Sequence, residues 1–348
     1  MKLTTKFRNE IRKLRQRWSR RHYGRQVAAT TDHIHGVPVH PLVNDLVVVA
    51  LMRDAAGQVA SFLQHHLRLG ARSVVLLDNG STDASIDIAR QFDQAVVLQC
   101  RLPYATHKYA MKHFLCNRFS GGGWCLIADI DEHFDYPYSN EISLEAFLRY
   151  LNKNQFTAVV AQMLDLFPAG PADQWPDATA TETTSCFYDL SAVHFQPYQT
   201  HRTNRLDGAA PSHWSGGIRK SAFAMTNGPS LTKHPLLFPS AGALPTLKSS
   251  HECRHARIAD VTCLLKHYKF TGNFFDQCRV AVEQKNYFNE SSEYRDYLKM
   301  LEDFPSLVLK ESTAERFTST GALAERGILQ SSLRYRNLRQ SNLCRVAA

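Results

Sequence analysis
The sequence predicts an α/β protein built on a mostly parallel sheet covered by helices on both faces. Three observations predict it. Short apolar runs of strand length alternate with stretches of helical periodicity from residue 46 to residue 164. Three of those runs end in polar, acid-bearing loops, and ligands of open parallel sheets bind beyond the carboxyl ends of the strands. A chain of 348 residues with 44% hydrophobic content can also bury a sizeable core.

The elements follow in order. LVVVALM (46–52) reads as a buried strand, ending in Arg53-Asp54. Val59, Phe62, Leu63 and Leu67 then recur at helical spacing, and Gly70 stops that helix. Residues 73–77 form a second strand that runs into Asp78-Asn79-Gly80-Ser81-Thr82-Asp83; Ser81 or Thr82 is suited to cap the helix ASIDIARQF. QAVVLQC (94–100) is a third strand, 107–119 a helix, and WCLIAD a fourth strand. SLEAFLRYL (143–151) is a helix capped by Ser143, and FTAVVAQML (156–164) a fifth strand. Residues 267–302 read as helical. No GxGxxG follows the first strand and no GxxxxGK[ST] occurs, which excludes a dinucleotide fingerprint and a P-loop.

The net charge of +9 sits in one place. Residues 1–26 hold ten Lys/Arg and one acid, leaving a neutral remainder of 31 bases and 31 acids. Within that arm Leu3, Phe7, Ile11, Leu14 and Trp18 line one helical stripe. Such a helix suits an anionic membrane surface; a solvated helix packed on the body and a nucleic-acid contact are the other two readings, and the neutral body argues against nucleic acid. Residues 27–44, with Gly36, Pro38 and Pro41, read as a linker, 45–300 as the main domain and 301–348 as a helical appendage. The N-terminus lacks a secretory pattern and no apolar run reaches ~18 residues, so the expected location is cytoplasmic, peripheral on the inner face of a membrane if the arm binds it. Eight scattered cysteines without CxxC are expected as free thiols.

The stretch WCLIADIDEHFDYP (124–137) carries the chemistry. Strand side chains alternate faces, so Asp129 and Asp131 point the same way while Ile130 points back. Two such carboxylates repel unless a cation lies between them, and Mg²⁺ or Mn²⁺ fits. An acidic turn that caps a helix is the other reading of the same residues. The set His251, Cys253, His255, Cys263 and His267 has no CxxC or HxxxH spacing to support a zinc site.

Taken in order, RDA (53–55), HHLRLG (65–70), DNGSTD (78–83), DIDE (129–132), LDLFPAGP (164–171), GGIR (216–219), KHPLL (233–237) and LLKHYKF (264–270) resemble the family 2 glycosyltransferases of GT-A fold, and more loosely the family 92 glycosyltransferases. The resemblance covers about residues 46–300. Asp54-Ala55 stands where that subgroup has Asn-Glu, a departure confined to the first loop.

The resemblance implies a metal-dependent transfer of sugar from a nucleotide-diphosphate sugar to a hydroxyl of a glycan or glycolipid, with inversion, in cell-surface polysaccharide synthesis. It implies nucleotide-sugar contacts at Arg53, Asp78, Asn79, Asp83, Asp129, Arg219 and Lys233, and metal ligands among Asp129, Asp131, His267 and His251. It places the general base at Asp165 or Asp189, with Glu252 an outside choice. Gly216 and Gly217 fit either a close backbone approach to a ligand or a plain turn. Aromatic residues such as Trp175, Tyr188, Phe195, Trp214 and Phe223 suit an acceptor groove or, more simply, the core. Two further classes remain: a non-catalytic sugar-nucleotide or glycan-binding protein on the same fold, and a nucleotidyltransferase, which would normally show a glycine-rich basic loop where this chain has Arg-Asp-Ala-Ala-Gly.

Overall fold
Ten strands form one mixed sheet in the computed structural model, which describes residues 22–346 apart from 209, 227, 247, 248, 250, 286 and 287. They are β1 (Asp32–His35), β2 (Leu46–Met52), β3 (Ser73–Asp78), β4 (Ala95–Gln99), β5 (Trp124–Ile127), β6 (Glu132–Asp135), β7 (Ala158–Asp165), β8 (Arg205–Leu206), β9 (Thr232–Leu237) and β10 (Arg257–His267). The spatial order is β1-β4-β3-β2-β5-β9-β7-β10-β8, with β6 alongside β10. β4, β3, β2 and β5 run parallel, as do β7, β10 and β8. β9 lies antiparallel between the two parallel groups.

Every residue of β2, β3 and β7 is buried, as strands covered on both faces must be. Each valine or leucine so placed contributes roughly 1.5–3 kcal/mol of transfer free energy. After a helix over 22–30 come α1 (Val59–Leu69), α2 (Ser85–Ala89), α3 (Tyr104–Phe119) and α4 (Leu144–Lys153). α1 buries Val59, Phe62 and Leu63 and ends at Gly70, whose φ of +111° is open to glycine. Ser143 caps α4 by accepting the Ala146 N–H at 3.3 Å. Among the described residues no helix is long and apolar enough to cross a membrane.

Three expectations are corrected. Neither Ser81 nor Thr82 caps α2; the Asp83 carboxylate accepts the Ser85 N–H at 3.0 Å, and Ser81 and Thr82 turn to Asp54 instead. Residues 27–44 are no plain linker. A helix over 22–30 buries Val27 in the cluster under β2–β4, and β1 adds an antiparallel edge to β4. The C-terminal segment is not an appendage either. Its helices α9 (Thr320–Glu325) and α10 (Leu333–Val346) and the turn between them place Leu323, Tyr335 and Leu329 in the main core, and the Tyr335 hydroxyl donates to the Pro137 carbonyl at 2.7 Å. Of the second-half aromatics, Trp175, Tyr188, Trp214 and Phe223 are core, while Phe195 stays 54% exposed. The basic stripe expected over 1–26 lies, for residues 1–21, outside the described residues.

Between β7 and α9 lie the remaining helices, α5 (Thr181–Thr184), α6 (Ile218–Ala222), α7 (Phe274–Gln284) and α8 (Phe288–Asp303). The seven described cysteines are free thiols, six of them buried.

Candidate active site
The chain extends the sheet from β2 through β3 to β4, then returns to place β5 on β2's other side. The order reverses between β2 and β5, and in open α/β sheets ligands bind outside the carboxyl ends of the strands at such a point. Arg53-Asp54, the DNGSTD loop and the DIDE stretch all reach this rim.

Two of those loops are latched together. Asp54, at φ +48°, accepts the Thr82 N–H at 2.7 Å and its hydroxyl at 3.2 Å. The Ser81 hydroxyl accepts the Asp54 N–H at 2.9 Å, and Asp83 accepts the Ala56 N–H at 2.9 Å. Asp78 is fully buried and its carboxylate is filled by the Gly80 and Ser81 amides and Gln99 Nε2. Asn79 donates to the Cys100 and Leu102 carbonyls at 2.6 and 2.9 Å. These three polar residues therefore shape the loop with their side chains. Arg53 is 43% exposed beside Asp54, at 3.6 Å.

The acids after β5 divide into two groups. Asp129, 36% exposed, is gripped by Lys112 at 2.6 Å and by Lys233 at 2.9 Å. Lys233 also pairs with Glu132, whose other oxygen accepts the Asp129 N–H at 3.1 Å. Burial opposes an ionised Asp129, but Lys112 first and Lys233 next hold its pKa well below the usual range. His251 packs nearby, its Nδ1 on the Thr232 carbonyl at 3.0 Å; burial, then Lys233, lower its pKa to about 3.

Asp131 heads the second group. Its Oδ2 lies 3.1 Å from His267 Nε2, and His267 Nδ1 donates to Asp165 Oδ1 at 2.5 Å. Asp165 Oδ2 accepts from Arg219 Nε at 2.9 Å, and Arg219 Nη1 reaches Glu293 at 3.3 Å. Strand register builds this row: His267 at the end of β10 stands opposite Asp165 on β7 and Glu132 on β6. Burial disfavours a charged His267, but Asp131 above all, with Asp165, pushes its pKa up to about 9. Burial would raise Asp165, yet Arg219 and His267 bring it down to about 2.

The donor set of the second group fits a hard divalent cation. A metal-binding histidine donates its second ring N–H to a carboxylate, which fixes the tautomer. His267 does this to Asp165, so Nε2 faces Asp131, whose side chain is 22% exposed and open to an ion. A hard cation suits Asp131, and the imidazole favours Mn²⁺ over Mg²⁺.

No protein-family model matches the chain, and no curated protein does. Among solved structures the chain is similar to glucosyl-3-phosphoglycerate synthase from Mycobacterium tuberculosis in complex with Mn²⁺, UDP and glucosyl-3-phosphoglycerate: 18% identity and TM-score 0.25, over 34% of this chain and 44% of that one. The same enzyme with phosphoglyceric acid gives 15% and 0.23 over the same shares. HddC from Yersinia pseudotuberculosis gives 10% and 0.31, over 64% of this chain and 91% of that one. The chain thus spans less than half the length of the first two, and at these scores the likenesses carry no argument about its chemistry.

The structure brings Asp131, His267, Asp165 and Arg219 into one hydrogen-bonded row and sets Asp129 with Lys233 beside it. Asp189 is not in that row: it accepts the Ser191 N–H at 2.7 Å and the Thr313 hydroxyl at 2.6 Å. Gly216 and Gly217, at φ +86° and +72°, meet protein; a Cβ on Gly216 would come 2.9 Å from the Ala192 carbonyl oxygen, and one on Gly217 3.2 Å from the Leu231 side chain. Lys112 escaped the sequence reading, because nothing in its helix distinguishes it from Lys108. Glu293 escaped it too, lying 128 residues from Asp165 in sequence and meeting it only through Arg219.

Proposed function
We propose that the protein is a metal-dependent glycosyltransferase of GT-A type, moving a sugar from a nucleotide-diphosphate sugar to a hydroxyl of a glycan or glycolipid in cell-surface polysaccharide synthesis. The observation that carries this reading is the Asp131–His267–Asp165 row at the carboxyl ends of the strands. Asp131 and His267 would hold Mn²⁺ or Mg²⁺. Bound there, the ion would neutralise charge developing on a diphosphate leaving group.

The chain's own residues do the rest. Lys112 and Lys233 bring two cations to the strand tips, where they balance Asp129 and would share a diphosphate with it. Arg53 and the latched DNGSTD loop would receive the nucleotide, Asp78, Asn79 and Asp83 acting by fixing the loop's backbone. His251 stays a candidate ligand beside Asp129. Asp165, committed to His267 and Arg219, is a positioning residue in this reading. Asp189 remains the acid proposed as base for an inverting reaction, and Thr313 would have to release it. Residues 1–26 would seat the enzyme on an anionic membrane surface at the cytoplasmic side; pelleting with anionic vesicles at low salt tests this, and indifference to them ends it.

The deciding experiment is calorimetry with UDP-, GDP- and dTDP-sugars, with and without Mn²⁺, on wild type and Asp131→Asn, followed by product analysis. Metal-dependent binding of one donor, lost in the variant, with sugar transfer to an acceptor, is the expected result. Binding without turnover would favour the non-catalytic sugar-nucleotide-binding protein, and pyrophosphate release a nucleotidyltransferase.

A further inference from the structure
We propose that His65, His133 and Glu182 form a second metal site, suited to zinc, that uses none of the residues of the Asp131–His267 row. The three come from separate elements: His65 from α1, His133 from β6 and Glu182 from α5. One ligand atom from each lies within 4.8 Å of the other two. His133 Nδ1 is 2.9 Å from Glu182 Oε1, and His65 Nδ1 is 3.1 Å from the same oxygen. The two imidazoles stack, centroids 4.6 Å apart and planes 17° from parallel, with both Nδ1 edges toward that carboxylate.

The hydrogen bonds around the cluster leave a place for a cation. His65 Nε2 donates to the Phe134 carbonyl at 2.7 Å, so its Nδ1 carries the lone pair. That atom is buried and no hydrogen-bond partner satisfies it. It faces a carboxylate oxygen, and two acceptors at 3.1 Å repel unless a positive centre lies between them. Arg68 takes the other oxygen, Oε2, at 3.1 Å, while Oε1 is hydrogen-bonded to His133 Nδ1 at 2.9 Å, so an ion bound at Oε1 would replace the His133 proton. His66 stays outside the set: its Nδ1 bonds the Phe62 carbonyl and its Nε2 accepts the Phe134 N–H.

Two imidazoles and one carboxylate are a zinc-type donor set, softer than Mg²⁺ or Ca²⁺ prefer. Zinc bonds of about 2.0–2.1 Å in a tetrahedron set ligand atoms roughly 3.3 Å apart, so both Nδ1–Oε1 distances would open slightly while the two Nδ1 atoms, within 4.8 Å of each other, draw together. Glu182, with a side chain 29% exposed, leaves the fourth position within reach of water. The ion would tie the short helix α5 to α1 and to β6, the strand that begins at Glu132. It acts there as a clamp on the connection between β7 and the rest of the fold.

The test uses the full chain treated with EDTA. ZnCl₂ is titrated by calorimetry and CoCl₂ by visible absorbance, on wild type, His65→Asn, Glu182→Gln and Asp131→Asn. The expected result is one zinc that survives Asp131→Asn, with tetrahedral Co²⁺ bands, and that weakens by roughly 100-fold or more in His65→Asn and Glu182→Gln. Unchanged zinc affinity in those two variants would overturn the proposal. So would absence of zinc uptake by the wild type, which would mean that imidazole N–H groups alone hold Glu182. Should His65→Asn fail to fold, Glu182→Gln, altered on the exposed side of the cluster, decides the matter alone.

Discussion

His267 Nδ1 donates to Asp165 Oδ1 at 2.5 Å, while Nε2 of the same ring faces Asp131. The buried acid therefore aims the histidine at the partly exposed one. Asp165→Asn keeps the shape but loses the charge that fixes the ring. Mn²⁺ affinity by calorimetry is expected to fall about 10–100-fold, the usual cost of losing such a carboxylate. An unchanged Mn²⁺ affinity would remove Asp165 from the site.

Arg219 is buried, and Asp165 is its fully enclosed partner. Arg219→Met leaves that carboxylate without its main cation. Urea unfolding should show a loss of about 3–5 kcal/mol, the cost typical of an orphaned buried charge. The double variant Arg219→Met, Asp165→Asn should recover part of it. A single variant within 1 kcal/mol of wild type, about the size of one neutral hydrogen bond, would argue that the pair is dispensable.

Asp54 stands where the resembling family has asparagine, and here it clasps the Thr82 amide and hydroxyl. Asp54→Ala should loosen the DNGSTD loop with little effect on stability, because the side chain is 44% exposed. Two lost hydrogen bonds at about 0.5–1.5 kcal/mol each predict donor binding weakened by roughly 5- to 150-fold. Equal donor affinity would mean that the latch does not shape the nucleotide site. Asp54→Asn should retain most of the binding, since its amide oxygen can still accept from Thr82.

Burial pushes the Cys253 and Cys278 thiols up to about 12. At pH 8 they stay protonated and shielded, and alkylation needs the thiolate. Of the described thiols, partly exposed Cys186 should react first with iodoacetamide in the native protein. Peptide mass spectrometry with Cys253 or Cys278 labelled ahead of Cys186 would contradict the packing around β10 and α7.

Much of the fold was legible because local rules and tertiary packing agree in its first half. LVVVALM is apolar throughout and becomes a strand buried on every residue; Gly70 and Ser143 end and cap their helices as their chemistry requires. The spacing of Asp129 and Asp131 predicts one shared face, but β5 ends at Ile127 and the acids part in the turn beyond it, Asp129 to Lys112 and Lys233 and Asp131 to His267. What misled the reading were residues whose partners come from far along the chain. Residues 32–35 carry no strong strand pattern and pair because β4 offers an open edge. Tyr335 sits in a segment rich in arginine and polar groups, yet it fills a hole among Tyr138, Phe147 and Tyr150.

The sequence by itself determined the alternation of strands and helices, the strand-end loops and the acids at 129 and 131, because side-chain period and turn chemistry act over a few residues. Only the tertiary structure decided the partners of those acids. Lys112 and Lys233 meet on Asp129, His267 is wedged between Asp131 and Asp165, and Glu182 arrives beside His65 and His133 across 117 and 49 residues. A buried charge must be matched by whatever cation or donor the fold delivers to it, and strand order and register make that delivery.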